Sequence, residues 1–304
     1  MCSSDLKFVL HFPRVVIIFI LLHLGSFVIV DNFCEYGISA KYYAEVTQKI
    51  QERPSETFAV YPFRKFSVRQ TDVSEINPRP LSSKFWLGTD KEGHDVFSLM
   101  VYGGRISLTI GIVAVSIYIG IGILIGATAG FFGGKIDLWI SRFIEIMICF
   151  PTFFLILTLA AFVEKPSIFY IMVIIGVTGW TTVARLIRAE FLRLRNIDYV
   201  QAAIALGYSK PKIIFGHILP NALGPVLVSA TFGIASSILT ESSLSFLGLG
   251  DPSAPSWGVI LSDGRLYLKM WLILGPGIAI FFVVSIFNLV GEGLRDALDP
   301  KLRQ

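Results

Sequence analysis

The sequence predicts an all-α membrane protein with about six transmembrane helices, a core of packed apolar spans joined by short loops. Two observations predict it. Hydrophobic residues make up 54% of the 304 and charged residues only 16%, against about 25% charged in an ordinary soluble domain. The apolar residues also fall in long charge-free runs rather than at the spacing of a soluble core. Strands of a membrane barrel would alternate polar and apolar over about ten positions, and no segment does so.

A run of about 20 apolar residues is needed to cross roughly 30 Å of hydrocarbon. The first span is expected from Val15 to Val30, between Arg14 and Asp31. Lys7 and Arg14 ahead of it suit a signal peptide, but the run is long for one and no small-x-small cleavage site precedes Asp31. It reads as a retained span. The second lies between Arg105 and Lys135. The third runs from Ile146 to Val163, extended backward through Arg142 and Glu145. The fourth falls between Lys165 and Arg185, the fifth runs from Ala222 to about Phe246, and the sixth from Met270 to Gly291. The expected organisation is a cytoplasmic tail with the first helix (1–30), an external loop that is a possible small subdomain (31–100), and a five-helix core (101–304) with a cytoplasmic loop at 188–221.

Lysine and arginine in short loops set the orientation. The N-terminal tail carries Lys7 and Arg14. The loop between the fourth and fifth spans carries Arg185, Arg188, Arg193, Arg195, Lys210 and Lys212, and the C-terminal tail Arg295, Lys301 and Arg303. An even number of crossings puts all three on one side, so both termini are expected in the cytoplasm.

Several residues within the spans ask for a reason. Gly122, Gly126 and Gly130 form two overlapping G-x-x-x-G patterns, which let helix backbones approach closely. The partner helix is either in this chain or in a second one. Arg142 and Glu145 are spaced for an i,i+3 ion pair. A charge at mid-bilayer costs about 2.5–3.5 kcal/mol on insertion scales, so the pair is expected at an interface or facing a partner. Glu241, in Thr240-Glu241-Ser242-Ser243, suggests a water-accessible face and a place on a translocation path. Pro225, Pro276 and Asn288 fit kinks or interhelical hydrogen bonds.

The net charge of +4 does not point to nucleic acid. Cys2, Cys34 and Cys149 fall in three different environments, so no structural disulfide is expected. His11, His23, His94 and His217 lack metal-ligand spacing, and no cofactor is implied. Gly133-Gly134-Lys135 resembles a P-loop only superficially: Ala129 replaces the required glycine and Ile136 the Ser/Thr. The chain is therefore not expected to hydrolyse ATP itself.

The loop from Arg188 to Asn221 is the most informative stretch. Asp198-Tyr199-Val200-Gln201 reads as a capping box, with Asp198 as N-cap and Gln201 reaching back to it. A short helix follows through Ala202, Ala203, Ile204, Ala205 and Leu206, and Gly207 stops it. Ser209 and Pro211 start a second short helix, expected to end at Leu219-Pro220. The result is a helix–Gly–helix elbow with small and apolar residues exposed between basic flanks. Such a surface is covered either by a partner or by lipid headgroups.

The pattern Gln201-Ala202-Ala203, Gly207 and Leu219-Pro220 resembles the EAA loop of permeases in binding-protein-dependent ABC importers. Further segments resemble the oligopeptide, dipeptide and nickel permeases of that family. These are Leu87-Gly88-Thr89-Asp90 with Gly93, Asp95 and Arg105-Ile106-Ser107-Leu108, then Gly133-Gly134 through Phe150-Pro151, Leu244 through Gly250, Pro255-Ser256-Trp257-Gly258, and Asn288 through Pro300. The resemblance covers residues 85–304. It departs at Gln201, where the acidic first residue of the pattern is lost, at His94, where arginine is usual, and over residues 31–85, which match nothing familiar.

This resemblance implies a C-type permease subunit of the bacterial inner membrane, importing oligopeptides or dipeptides. Its implied partners are a second homologous permease, two ABC ATPase subunits, an extracytoplasmic solute-binding protein and membrane lipid. Asp198, Gln201, Ala202, Ala203, Leu206, Gly207, Leu219 and Pro220 are the implied ATPase-coupling residues. Nickel or another small solute is the alternative cargo. The rival classes are a secondary transporter, for which inverted repeats are lacking, and an intramembrane enzyme, for which Glu241 and Asp263 are the only candidates.

Overall fold

The computed structural model describes residues 71–72 and 78–298. The first predicted span, most of the external loop, Cys2, Cys34, His11, His23, Lys301 and Arg303 lie outside the described residues.

The first described helix, α1 (Val96–Phe132), is 37 residues long. At 1.5 Å per residue it measures about 55 Å, longer than a bilayer core. Its start is fixed by Asp95, a buried carboxylate that accepts from the backbone N–H of Ser98 at 3.1 Å and from its hydroxyl at 2.7 Å. The N–H groups of a first helical turn have no partner in the helix, and such a side chain supplies one.

The third predicted span falls on the end of α2 (Gly134–Cys149) and on α3 (Thr152–Ala161), and α2 begins well ahead of it. The two helices are not one rod, as the sequence reading expected, but meet at 76°. Pro151 is the cause. A proline disfavours helical geometry at the residue before it, and Phe150 here sits at φ −85°, ψ 127°.

Helix α4 (Ile168–Leu194) lies against α1 along much of its length, and the three glycines of the second span form the contact. A Cβ on Gly122 would stand 2.6 Å from Val183 Cβ, and one on Gly130 would meet Phe191 Cβ at 2.5 Å. Gly126 lies against the Ala184 carbonyl and Ile187. Val183, Ala184, Ile187 and Phe191 are fully buried. The G-x-x-x-G row thus packs within this chain, against α4. Ile168 N–H at the start of α4 is capped by Asp251, 83 residues away, at 3.2 Å.

Two short helices follow, α5 (Asp198–Ala205) and α6 (Lys210–Ile213), then a π turn over Ile214–Ile218 and α7 (Leu219–Phe246). The expected stop at Leu219-Pro220 does not occur. Pro220 has no N–H to donate, and a proline inside a regular helix also clashes with the carbonyl four residues back. The wider π turn, in which Leu219 N–H bonds to the Ile214 carbonyl, lets the chain run on as one helical stretch from Lys210 to Phe246. Pro225 lies inside α7 and Pro276 inside α9 (Met270–Leu298). Between them stands α8 (Trp257–Tyr267), which the sequence reading left as loop.

Among the described residues, four helical stretches are long and apolar enough to cross a membrane, or five with the bent α2–α3 pair taken as one span. They coincide with the predicted second to sixth spans.

A candidate docking elbow and a buried carboxylate

The elbow begins at Ile197, not Asp198. Ile197 is the N-cap, at φ −83° and ψ 146°, and its carbonyl accepts from Val200 and Gln201 N–H at 3.0 and 3.1 Å. The expected capping box is absent. Asp198 is the first helical residue and makes no side-chain cap, while Gln201 Nε2 donates instead to the Arg195 carbonyl at 2.8 Å. With a well-placed extended residue already at 197, Asp198 is one position too late to cap. Its carboxylate still lies in the first turn, where the helix dipole favours negative charge.

The far end of α5 closes as expected. Gly207 takes φ +75°, its N–H bonds to the Ile204 carbonyl at 2.9 Å, and Tyr208 N–H bonds to the Ala203 carbonyl at 3.1 Å. This pair of hydrogen bonds across a left-handed residue is the Schellman closure that satisfies the last carbonyls of a helix. A Cβ on Gly207 would meet nothing within 4 Å, so the backbone angle alone demands glycine.

The closure divides the elbow into two faces. Val200, Ala203, Ile213 and Ile218 point into the main core with Phe191 and Leu194. Ala203, one of the expected coupling residues, is thus only 4% exposed and serves as an anchor. Asp198, Gln201, Ala202 and Gly207 are exposed, as is Pro220, and Leu219 is half-buried. Leu206 at the tip is 73% exposed and Phe215 61%. Ile204, Tyr199 and Tyr208 join them at the surface. Lys212 Nζ stands over the Tyr208 ring at 4.0 Å, and Lys210 Nζ over the Phe132 ring at the end of α1 at 5.6 Å. Isolated exposed apolar residues are ordinary, but a clustered patch on a rigid turn marks a contact surface.

This elbow lies inside the part of the chain, residues 122–304, that matches the family described as "Binding-protein-dependent transport system inner membrane component". The chain belongs to that family. It is 41% identical over 240 residues to the dipeptide transport system permease protein DppC of Alkalihalophilus pseudofirmus, covering 77% of this chain and 79% of that one. It is also 41% identical to the oligopeptide transport system permease protein OppC of Haemophilus influenzae, over 79% of this chain and 78% of the relative. A solved chain of the MetNI methionine ABC transporter, in an inward-facing conformation, superposes with a TM-score of 0.55 at 18% identity. The match covers 66% of this chain and 96% of that one and concerns the fold alone. As a member of this family the chain is a permease subunit of an ABC importer in the inner membrane, and a transport component rather than an enzyme.

In this permease Glu241 does not occupy the water-accessible face that the sequence suggested. It is 1% exposed. Its Oε1 accepts from the Ser245 hydroxyl at 2.8 Å and the Ser256 hydroxyl at 2.6 Å, and Ser242 Oγ stands 3.4 Å from Oε2. Ser256 is the N-cap of α8 and also accepts from Val259 N–H. Glu241 therefore pins the start of α8 to α7. The next residue, Trp257, is buried and donates its indole N–H to the Met100 carbonyl of α1 at 2.9 Å. A Cβ on Gly258 would stand 2.7 Å from Ser242 Cα. A buried carboxylate is tolerable when hydrogen-bond donors surround it, and the serines supply them.

Asp263, on α8, pairs with Lys91 at 3.3 Å. Burial holds its carboxyl above the ordinary carboxylate range; Lys91 works against that, and the nearby Asp90 and Glu92 add to it. Arg142 and Glu145 do pair, at 2.6 Å, with both side chains exposed. Among the described residues no group of His, Cys, Asp and Glu has the geometry of a metal site. Sequence reasoning missed the pairing of Arg188 with Asp137 and the serine ring around Glu241. The first joins residues 51 apart, and the second closes on Ser256, 15 residues on, which no local pattern signals.

Proposed function

We propose that this permease imports oligopeptides or dipeptides, and that its elbow is the seat of a partner ATPase. On this reading α5 to α6 faces the cytoplasm with both termini. A second homologous permease completes the translocation path, two ATPase subunits supply the energy, and an external binding protein delivers the solute. The peptide cargo rests on the names of the relatives, which are dipeptide and oligopeptide permeases.

One observation carries the elbow's role. The Schellman turn at Gly207 holds Leu206 outward while Val200 and Ala203 anchor the same helix in the core. A rigid apolar knob of this kind transmits force to and from whatever covers it, without itself deforming. The basic residues Lys210 and Lys212 stand beside it and suit the cytoplasmic side.

The test is Gly207→Val. A side chain at this backbone angle costs about 1–2 kcal/mol and a β-branched one is the worst suited to it, so the turn and the position of Leu206 change. Peptide uptake by the assembled importer is expected to fall several-fold, with normal accumulation of the protein in the membrane. Uptake equal to that of the native protein would refute the role assigned to the elbow.

A further inference from the structure

Helix α2 is poorly packed for a helix of 16 residues. Its one buried residue is Ile144, and Leu138, Trp139, Phe143, Ile146 and Ile148 stand exposed. Both of its ends are joints. Gly133, its N-cap, and Gly134, its first residue, take φ +66° and +54°, angles that glycine adopts without penalty, and the bend at Phe150–Pro151 follows it. Ile144 sits in the main core with Ile140 and Met147 packed against it, and beyond these, two contacts orient the helix. One is the stacking of Phe143 on Trp180 of α4, with centroids 5.8 Å apart and an interplanar angle of 18°. The other is a two-pronged ion pair. Arg188 Nη2 donates to Asp137 Oδ2 at 2.7 Å, and Arg188 Nε donates to Asp137 Oδ1. A guanidinium gripping a carboxylate through two parallel bonds fixes direction as well as distance.

Arg188 lies in the last two turns of α4, the segment that leads into the elbow. Arg195, which caps the end of α4, donates its Nη1 to the Gly130 carbonyl near the end of α1 at 3.2 Å. The carbonyl of Arg195 in turn receives Gln201 Nε2 from α5. A continuous set of contacts therefore runs from α5 through the end of α4 to the first turn of α2. The apolar core holds the elbow to α4, and the Arg188 fork holds α4 to α2.

We propose that Asp137 and Arg188 are positioning residues for transport, a clasp that makes α2 follow the elbow when the partner ATPase moves it. This rests on the elbow being the ATPase seat. The clasp converts a displacement at the elbow into a rotation of α2 about its glycine joint. Without it the elbow still binds its partner, but α2 no longer keeps step.

The experiment uses the complete importer, with its ATPases and binding protein, in proteoliposomes. Asp137→Asn and Arg188→Gln are compared with the native chain and with the exchange D137R/R188D. Uptake per ATP hydrolysed is expected to fall roughly tenfold in each single variant, within the range of coupling between distant sites. ATPase copurification is expected to stay native-like, and the exchange to restore uptake. Spin labels on cysteines replacing the exposed Lys135 and Asn196 are expected to keep one narrow separation through ATP turnover in the native protein. That separation is expected to broaden in Asp137→Asn, a change that a merely stabilising pair would not produce. Native uptake per ATP in the single variants, or a label separation unaffected by Asp137→Asn, would overturn the clasp. Failure of the elbow reading is seen separately, as an ATPase that binds the native chain without touching Leu206.

Discussion

The two ends of α7 break the rule of apolar inside and polar outside in opposite senses. At its start the elbow turns Leu206 and Phe215 outward. Near its end Glu241 turns a carboxylate inward. The inward carboxylate is answered within the chain by Ser242, Ser245 and Ser256. Among the described residues nothing covers the outward apolar patch. A buried polar group with its donors present is a finished structural feature, whereas an exposed apolar cluster on a rigid turn is half of an interface. On the proposed reading, the first region holds the permease together and the second meets a partner.

The largest expected effect comes from breaking the buried side of that contrast. Glu241→Ala leaves the Ser245 and Ser256 hydroxyls without their acceptor, at a cost of about 1–3 kcal/mol for each unsatisfied buried group. The N-terminus of α8 is expected to come loose. The unfolding midpoint of the purified protein in detergent should drop clearly, and that of Glu241→Gln, which keeps an acceptor oxygen, much less. If the alanine variant unfolded at the native temperature, Glu241 would not be the pin described here.

A smaller effect sharpens the same contrast at the rim of α8. The Asp263 carboxyl is held above its ordinary value of 3.8, first by burial, so the folded chain takes up its proton more readily than the unfolded one. Stability from this group is therefore gained as pH falls through the raised value towards 3.8, and is lost again as pH rises. Asp263→Asn is expected to remove this acid-side gain, read as a flatter dependence of the unfolding midpoint on pH. An unchanged dependence would show that the group titrates alike in both states.

Much of the architecture was legible in the sequence because it is written locally. Charge-free runs marked the second to sixth spans, Gly122, Gly126 and Gly130 marked a close helix contact, and Gly207 marked the turn of the elbow. The departures come from two sources. Some were local signals outweighed by neighbouring geometry: Ile197 displaced Asp198 as cap, and the π turn carried the helix past Pro220. Pro151 broke an apolar run that read as a single span. The others depend on partners distant in the chain, which hydropathy does not record. Glu241 gives no local sign of its bond from Ser256, and Asp137 looks like an ordinary first-turn acid until Arg188 arrives from 51 residues away.

The central claim is that the elbow's apolar tip is covered by an ATPase subunit. The most direct test is a photo-crosslinking amino acid in place of Leu206 in the intact importer. The account predicts a crosslink to the ATPase, and loss of ATPase copurification in the variant Leu206→Asp. A crosslink to lipid alone, with Leu206→Asp retaining its ATPase, would contradict it.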